Sequence, residues 1–415
     1  MWSATGALLG LALAIVMIFR KIPPVYSLMA GALVGGLAGG TDLTATVGML
    51  TSGVSDVVPA IVRILGAGVL TGVLIETGAA DIISRTIVER LGTRHVYLAI
   101  ALATMLLTAT GVFVDVAVIT VAPVALVICR RLGIRPSAML VMMIGGGKCG
   151  NIISPNPNTI IAAENFGADL YMTMVCNAGA AVAGLLFTVY VIGRIVPRSG
   201  VVISAVDSSE RKETPGFMAA ITGPLVAVAL LALRPIAGIT VDPLVALPAG
   251  GLVGVLVMRQ GGKTLKCITS GLGKMTPVAV LLIGTGAIAG VIKGSDLSNL
   301  ILAALADMHV ADVLLAPVAG ILMSAATAST TAGAAVASSS FASAVIHSGV
   351  APMWGAAMVN AGATVADHMP HGSFFHATGG AAELTVKERM RLIPYESAIG
   401  FVLAVLSTLT YLLLL

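Results

Sequence analysis

The chain has 415 residues, of which 57% are hydrophobic, 10% are charged and 48 are glycine, and its mean hydropathy is +1.03. Soluble domains carry about a quarter charged residues, so this composition excludes a soluble enzyme or binding module and leaves an integral membrane protein. The formal net charge of +4 is spread over short loops rather than gathered into a patch, which excludes a nucleic-acid partner.

In chain order, the run TGALLGLALAIVMIF has no basic residue before it and ends at Arg20 and Lys21, which predicts an uncleaved first span rather than a signal peptide. Full spans are expected near 3–19, 25–40, 54–76, 137–160, 170–193, 217–233, 242–258, 275–292, 352–376 and 394–415, where apolar runs suit a bilayer core about 30 Å thick. Two further apolar segments, 96–129 and 312–346, break midway at TATGVFVD and ATASTTAG. Each is either two tight spans or a re-entrant helical hairpin, with both ends on one side. Cys129, Cys149, Cys176 and Cys267 show no paired ligand spacing and are expected as buried free thiols.

The segments repeat. SLMAGALVGGL (27–37) returns as ALPAGGLVGVL (246–256), and Pro59, Gly66, Gly68 and Gly72 find Pro277, Gly284, Gly286 and Gly290 at a constant offset. The predicted organisation is a first repeat over 1–197, a polar cytoplasmic linker over 198–216 and a second repeat over 217–415. Five crossings plus one hairpin per unit force the second copy to insert upside down. Charge agrees: Arg20, Lys21, Arg130, Arg131, Arg259, Lys263, Lys387, Arg389 and Arg391 fall on loops this arrangement makes cytoplasmic, and 294–386 contains no Lys or Arg. The expected fold is an all-α polytopic membrane protein of two inverted-topology repeats, each with a helical hairpin and a discontinuous transmembrane helix, about ten full spans plus two hairpins.

The stretch GGGKCGNIISPNPNT (145–159) is where chemistry is expected. Its glycines weaken a helix, and Pro155 and Pro157 cannot continue the hydrogen-bond ladder. Free backbone groups at membrane depth are tolerated only around a cavity. A helix restarting after Pro157, with Asn158 as N-cap, would turn its positive dipole end toward the break, where a substrate carboxylate is stabilised. The equivalent break, NAGATVADHMPHGSFFH (360–376), supplies the other half.

Candidate substrate-binding residues are Lys148, Asn151, Ser154, Asn156, Asn158 and Thr159 of the first break, Thr110 of the first hairpin, Ser329, Thr330 and Thr331 of the second, and Asn360 and Ser373 of the second break. Lys148 either meets a substrate carboxylate or forms a fixed ion pair with Asp115 or Asp367. Asp115, Asp367, His368 and His371 are the proton-coupling candidates, because buried carboxylates and histidines titrate near neutrality. Arg63, Glu76, Asp81, Glu89 and Glu164 are expected at interfaces or on loops. No metal or cofactor motif is present, and neither HExxH nor a phosphate-binding glycine loop supports an intramembrane enzyme.

The segments GGGKCGNIISPNPNTIIAAENFGADL (145–170) and TGGAAELTVKERM (378–390) carry a resemblance that runs along nearly the whole chain. The sequence resembles the gluconate permease family of proton symporters within the ion transporter superfamily. That resemblance implies uptake of sugar acids or related hydroxy acids across the bacterial inner membrane, D-serine being another substrate type, driven by protons, and a homodimer. Two departures fall in the presumed site. Pro155-Asn156-Pro157-Asn158 stands where gluconate transporters show Pro-Gly-Pro-Thr, and His368-Met369-Pro370-His371-Gly372-Ser373-Phe374 where they show His-Val-Asn-Asp-Ser-Gly-Phe.

The sequence therefore points to a proton-coupled symporter of a small hydroxylated carboxylate, whose hairpins and broken helices move against a scaffold of the other spans. The alternative within the same fold is a sodium-coupled carboxylate carrier or a cation/proton antiporter, because hairpin-tip carbonyls and hydroxyls also hold sodium.

Overall fold

In lipid every backbone polar group must find a partner within the protein, so the apolar runs have to be helical. The structure, a computed structural model, describes residues 3–92, 95–197, 215–295, 312–370 and 372–414. Among these residues the regular structure is helical, and the expected linker lies outside them except for 215 and 216. The four cysteines are free and buried, as expected.

The first half contains α1 (Ala4–Phe19), α2 (Pro24–Ala38), α3 (Leu43–Glu76), α4 (Ala79–Leu91), α5 (Val96–Ala109), α6 (Val114–Leu132), α7 (Pro136–Asn151) and α8 (Pro157–Asn165). It closes with α9 (Leu170–Cys176), α10 (Ala178–Phe187), a π-helical turn (Thr188–Ile192) and the single turn α11 (Gly193–Ile195). The second half contains α12 (Phe217–Ala237), α13 (Pro243–Val257), α14 (Thr264–Gly294), α15 (Leu315–Thr327), α16 (Thr330–His347), α17 (Pro352–Ala363) and α18 (Ser373–Ala381). It closes with α19 (Val386–Met390) and α20 (Ile393–Leu414). Among the described residues four stretches are long and apolar enough to cross a membrane, 43–76, 170–195, 261–292 and 386–414, and six shorter apolar helices accompany them.

The helices α3 and α14 begin 11 residues before the expected spans at 54 and 275, at Leu43 and Thr264. Their early turns carry Thr, Ser and Lys, which ends an apolar window without ending a helix. The hydroxyls of Thr51 and Ser55 donate to the carbonyls of Val47 and Thr51, each at 3.0 Å, so these side chains bring their own acceptors. Both helices continue through an internal proline, Pro59 and Pro277. At 1.5 Å per residue each extends to about 50 Å, well beyond a core of about 30 Å.

These two helices pack along each other. Gly53 lies against Gly286 and Gly290, Gly68 against Gly271, and Gly72 against Cys267. The rising numbers on α3 meet falling numbers on α14, so the pair is antiparallel. A side chain at Gly53 or Gly72 would collide with the facing backbone, which is how small residues hold membrane helices together.

Both expected hairpins turn where their sequences break. Helices α5 and α6 are joined through Thr110 and Gly111, whose φ of +102° favours glycine. Helices α15 and α16 are joined through Ala328 and Ser329, and the Ser329 hydroxyl caps α16 by accepting from the Ala332 amide at 3.2 Å. The expected discontinuous helices are α7/α8, interrupted over 152–156, and α17/α18, interrupted over 364–372. Their second limbs cross over: α8 packs on α16 of the second hairpin, and α18 packs on α6 of the first. The two breaks and the two hairpins therefore share one region.

Candidate functional site

The glycines of the first break do not interrupt α7. The helix runs unbroken through Gly145, Gly146, Gly147 and Gly150, and side chains at Gly146 or Gly150 would strike the backbone of Ala101 or Met105 on α5. Those glycines set helix contact, and Pro155 and Pro157 set the break. Helix α8 restarts with Pro157 as its first residue, so its N-cap is Asn156 rather than Asn158. Proline fits the first helical position because that N–H has no intrahelical partner in any case.

Asn156 is buried and spans the gap. Its Oδ1 accepts from the Thr159 amide at 3.1 Å and the Thr159 hydroxyl at 3.2 Å, while its Nδ2 donates to the Asn151 carbonyl at 2.9 Å and to Asn151 Oδ1 at 2.5 Å. The chain extends into the second half, where Asn360 Nδ2 donates to Thr159 Oγ1 at 3.0 Å. Asn158 accepts from Thr331 Oγ1 at 2.6 Å, tying the break to the second hairpin tip. Three buried polar atoms here have no partner among the described residues: Asn151 Nδ2, Ser154 Oγ and Asn360 Oδ1.

Behind this amide wall lies a charged cluster. Of the arrangements the sequence leaves open for Lys148, the structure has the ion pair with Asp367, Nζ to Oδ1 at 2.7 Å, and Lys148 is fully buried. The same ammonium donates to the Thr364 and Glu396 carbonyls and lies 3.0 Å from His368 Nδ1. Asp367 Oδ2 accepts from Thr330 Oγ1 at 2.6 Å, and its Oδ1 stands 3.0 Å from His368 Nδ1. The far side of the His368 ring meets the Ile393 carbonyl and the Ser397 hydroxyl at 3.2 and 3.1 Å.

Arg389, expected on a cytoplasmic loop, is buried instead, with 1% of its surface exposed. The short helix α19 folds beneath α18. Its Arg389 pairs bidentately with Glu396, donates to Thr378 at 3.2 Å and to the Phe375 carbonyl at 3.3 Å, and stacks 4.9 Å from the Phe375 ring. Glu396 Oε2 is 4.0 Å from His368 Nδ1, so a continuous array runs from Thr330 at the cavity through buried Asp367, His368, Glu396 and Arg389, with Lys148 alongside.

Sequence reasoning missed Arg389, Glu396 and also Asn177. Asn177 is buried, donates to the Ile152 and Ala357 carbonyls at 3.3 and 3.0 Å, and accepts from Ser407 at 2.7 Å. The available signal was an Asn or Glu inside an otherwise apolar run, MVCNAGA and IPYESAI, since such residues face the protein interior.

A cavity of about 940 Å³ opens against this region. Of the expected residues, Asn151, Asn158, Ser329, Thr330, Thr331, Asp115 and Asp367 line it. Ser154, Asn156, Thr159, Asn360, Lys148 and His368 are buried and do not line it. Thr110 bonds the carbonyl of its own helix at Leu107, at 2.7 Å, and does not reach the cavity. Asp115 sits in the first turn of α6 and accepts its neighbour Val116's amide at 2.9 Å, without contact to Lys148. Ser373 begins α18 and its side chain lies outside the described residues, as does His371. A second, smaller cavity of about 220 Å³ borders Arg63, Glu164 and Asp242. As expected of interface charges, Arg63 on α3 pairs with Glu164 on α8 and, at 2.8 Å, with Asp242 before α13.

The family model for GntP family permeases matches residues 3–414. The chain belongs to this family. The permease is 51% identical over 410 residues to an uncharacterised transporter of Haemophilus influenzae, covering 99% of this chain and 98% of that one. It is 23% identical to a high-affinity gluconate transporter of Escherichia coli over 88% of each chain. It is 23% identical to the D-serine transporter DsdX of Escherichia coli over 80% of each. Among solved structures, the Alcanivorax borkumensis YdaH transporter superposes with a TM-score of 0.62 at 16% identity, covering 88% of both chains, a likeness of fold. The permease is thus a membrane transporter, a multi-pass protein of the bacterial inner membrane, and its helices follow an architecture known in another transporter.

Proposed function

We propose that this permease is a proton-coupled symporter that takes up a small hydroxylated carboxylate, a gluconate-like sugar acid or related hydroxy acid, by alternating access. The observation that carries the reading is the amide wall. Burying a polar group without a partner costs on the order of 1–3 kcal/mol, yet Asn151 Nδ2, Ser154 Oγ and Asn360 Oδ1 stand unpartnered beside a cavity that Asn151 itself lines. Of the three, Asn151 lines the cavity, and a hydroxyl of a polyhydroxylated solute there supplies the acceptor its Nδ2 lacks. The gluconate and D-serine transporters among the relatives carry solutes of this kind by their names.

Asp367 is the proposed proton carrier. It lines the cavity on one side and touches Lys148 and His368 on the other. Protonating it would release Lys148 from its ion pair and Thr330 from a charged acceptor, so the hairpin tip and the second break would loosen together. The moving body in this reading is the pair of hairpins with the two broken helices, and the scaffold is α1 to α4 with α12 to α14. The two halves act as inverted repeats, which places the breaks back to back.

Uptake into proteoliposomes tests the reading. Gluconate, glycerate, hydroxybutyrate and D-serine are offered under an imposed pH gradient, acid outside, or an imposed sodium gradient. Accumulation of at least one compound with the pH gradient alone is expected. Accumulation driven by sodium alone would replace protons with sodium as the coupling ion.

A further inference from the structure

Lys148 has no capacity left for a substrate. An ammonium has three donor hydrogens, and three oxygen acceptors already surround this one, Asp367 and the carbonyls of Thr364 and Glu396, with His368 Nδ1 3.0 Å away. Its charge is neutralised by Asp367, and it is buried and does not line the cavity. The remaining carboxylate on the wall, Asp115, is held at the start of α6 and adds negative charge. A substrate carboxylate entering this cavity therefore needs a cation from elsewhere.

Two lysines line the cavity, Lys21 in the turn after α1 and Lys274 on α14, and Lys274 is the one set on a regular helix. Lys274, Pro277, Val278 and Leu281 all line the cavity, and their spacing of three, four and seven residues puts them on one face of the helix. Three of the four are apolar. Lys274 is exposed and makes no hydrogen bond or ion pair among the described residues, so its ammonium is available to the cavity that Asn151 and Asn158 also line. We infer that Lys274 is the carboxylate-binding residue of this permease, with the substrate lying across the cavity, its carboxylate on α14 and its hydroxyls on Asn151, Asn158 and Thr331. This inference rests on the carboxylate reading above.

The arrangement also sets how the site changes during transport. Lys274 stands on a scaffold helix, whereas the amides stand on the broken helices and hairpin tip. The two halves of the substrate contact separate when those bodies move, so the charged contact holds in the conformation described here and is lost in the other. That difference favours release on the opposite side.

The test compares the wild type with Lys274→Gln, Lys274→Met and Lys274→Arg in proteoliposomes. Gluconate, glycerate, hydroxybutyrate and D-serine are each offered as the labelled solute, with its neutral primary amide as competitor. Loss of a hydrogen bond to a charged group weakens binding about 10-fold or more. Lys274→Gln is expected to raise KM by that factor with the maximal rate within about twofold. The preference for carboxylate over amide should collapse toward one, and Lys274→Arg should restore both to within about threefold. Lys274→Met keeps the apolar stem and serves where Gln lowers the yield of monodisperse protein. If the wild type accumulates a carboxylate while KM and the amide preference are unchanged in Gln and Met, the assignment of Lys274 is overturned and the symport reading stands. If the wild type accumulates none of the four, both fall.

Discussion

At the scale of single residues, Lys148 and Asp367 are buried partners, and each is costly without the other. Breaking a buried pair from one side typically costs about 3–5 kcal/mol, whereas replacing both members with apolar residues of similar size is often close to neutral. Lys148→Met should therefore lower the thermal stability of the purified protein by several degrees. Lys148→Met combined with Asp367→Leu should regain most of that loss while transporting nothing. Thermal unfolding in detergent reads the first effect and uptake the second. A double variant no more stable than the single one would show that Lys148 acts through its other partners, the Thr364 and Glu396 carbonyls, rather than through Asp367. Nothing in the sequence distinguishes Asp367 from Asp115 as the partner. Both are acids near a break or turn, and only the crossing of α8 over α16 and α18 over α6 determines which one reaches Lys148.

At the scale of elements, the turns and breaks were legible and the contacts were not. Gly111, Pro155, Pro157 and Ser329 act through local rules of backbone geometry and capping, so TATGVFVD, SPNPNT and ATASTTAG mark the interruptions that the structure has. The first eleven residues of α3 and α14 were hidden because their hydroxyls and lysines read as loop, although the hydroxyls of Thr51 and Thr269 bond back to carbonyls of their own helices. Arg389 was hidden because the positive-inside rule counts charges along the chain and carries no information on how α19 tucks under α18. The cap on α8 separates local from distant roles. Asn156→Ala should cost about 1 kcal/mol through the lost cap and leave Asn151 Oδ1 unpaired. Asn156→Ser keeps a capping oxygen and loses only the bonds to Asn151. Thermal stability should rank wild type, Ser, Ala, and uptake should fall in both variants because Asn151, which lines the cavity, loses its support. Full transport by Asn156→Ser would show that the cap alone matters.

At the scale of the whole molecule, the proposed alternating access requires two bodies that slide past each other, and under that proposal the charges between them mark the boundary. Arg63 stands on α3 and bonds Asp242, both in the proposed scaffold, through Nη2 at 2.8 Å and Nε at 3.2 Å. It also reaches Glu164, which stands on α8 of the broken helix. About a quarter of the surface of Arg63 and of Glu164 is exposed, 26% and 25%. Ion pairs open to solvent are typically worth about 0–1 kcal/mol, so the link to Glu164 fixes register in one conformation without opposing movement to the next. Arg63→Cys combined with Glu164→Cys, in a protein whose four buried cysteines are replaced by alanine, places thiols on the two sides of this boundary. A short bifunctional thiol reagent should then stop uptake, and a cleavable version followed by reductant should restore it. Each single-cysteine protein should transport at the same rate with and without reagent. A doubly substituted protein that is fully cross-linked, as judged by loss of both free thiols, yet still accumulates solute would mean that α8 does not move against α3. In that case the moving body would have to be the hairpins without the broken helices.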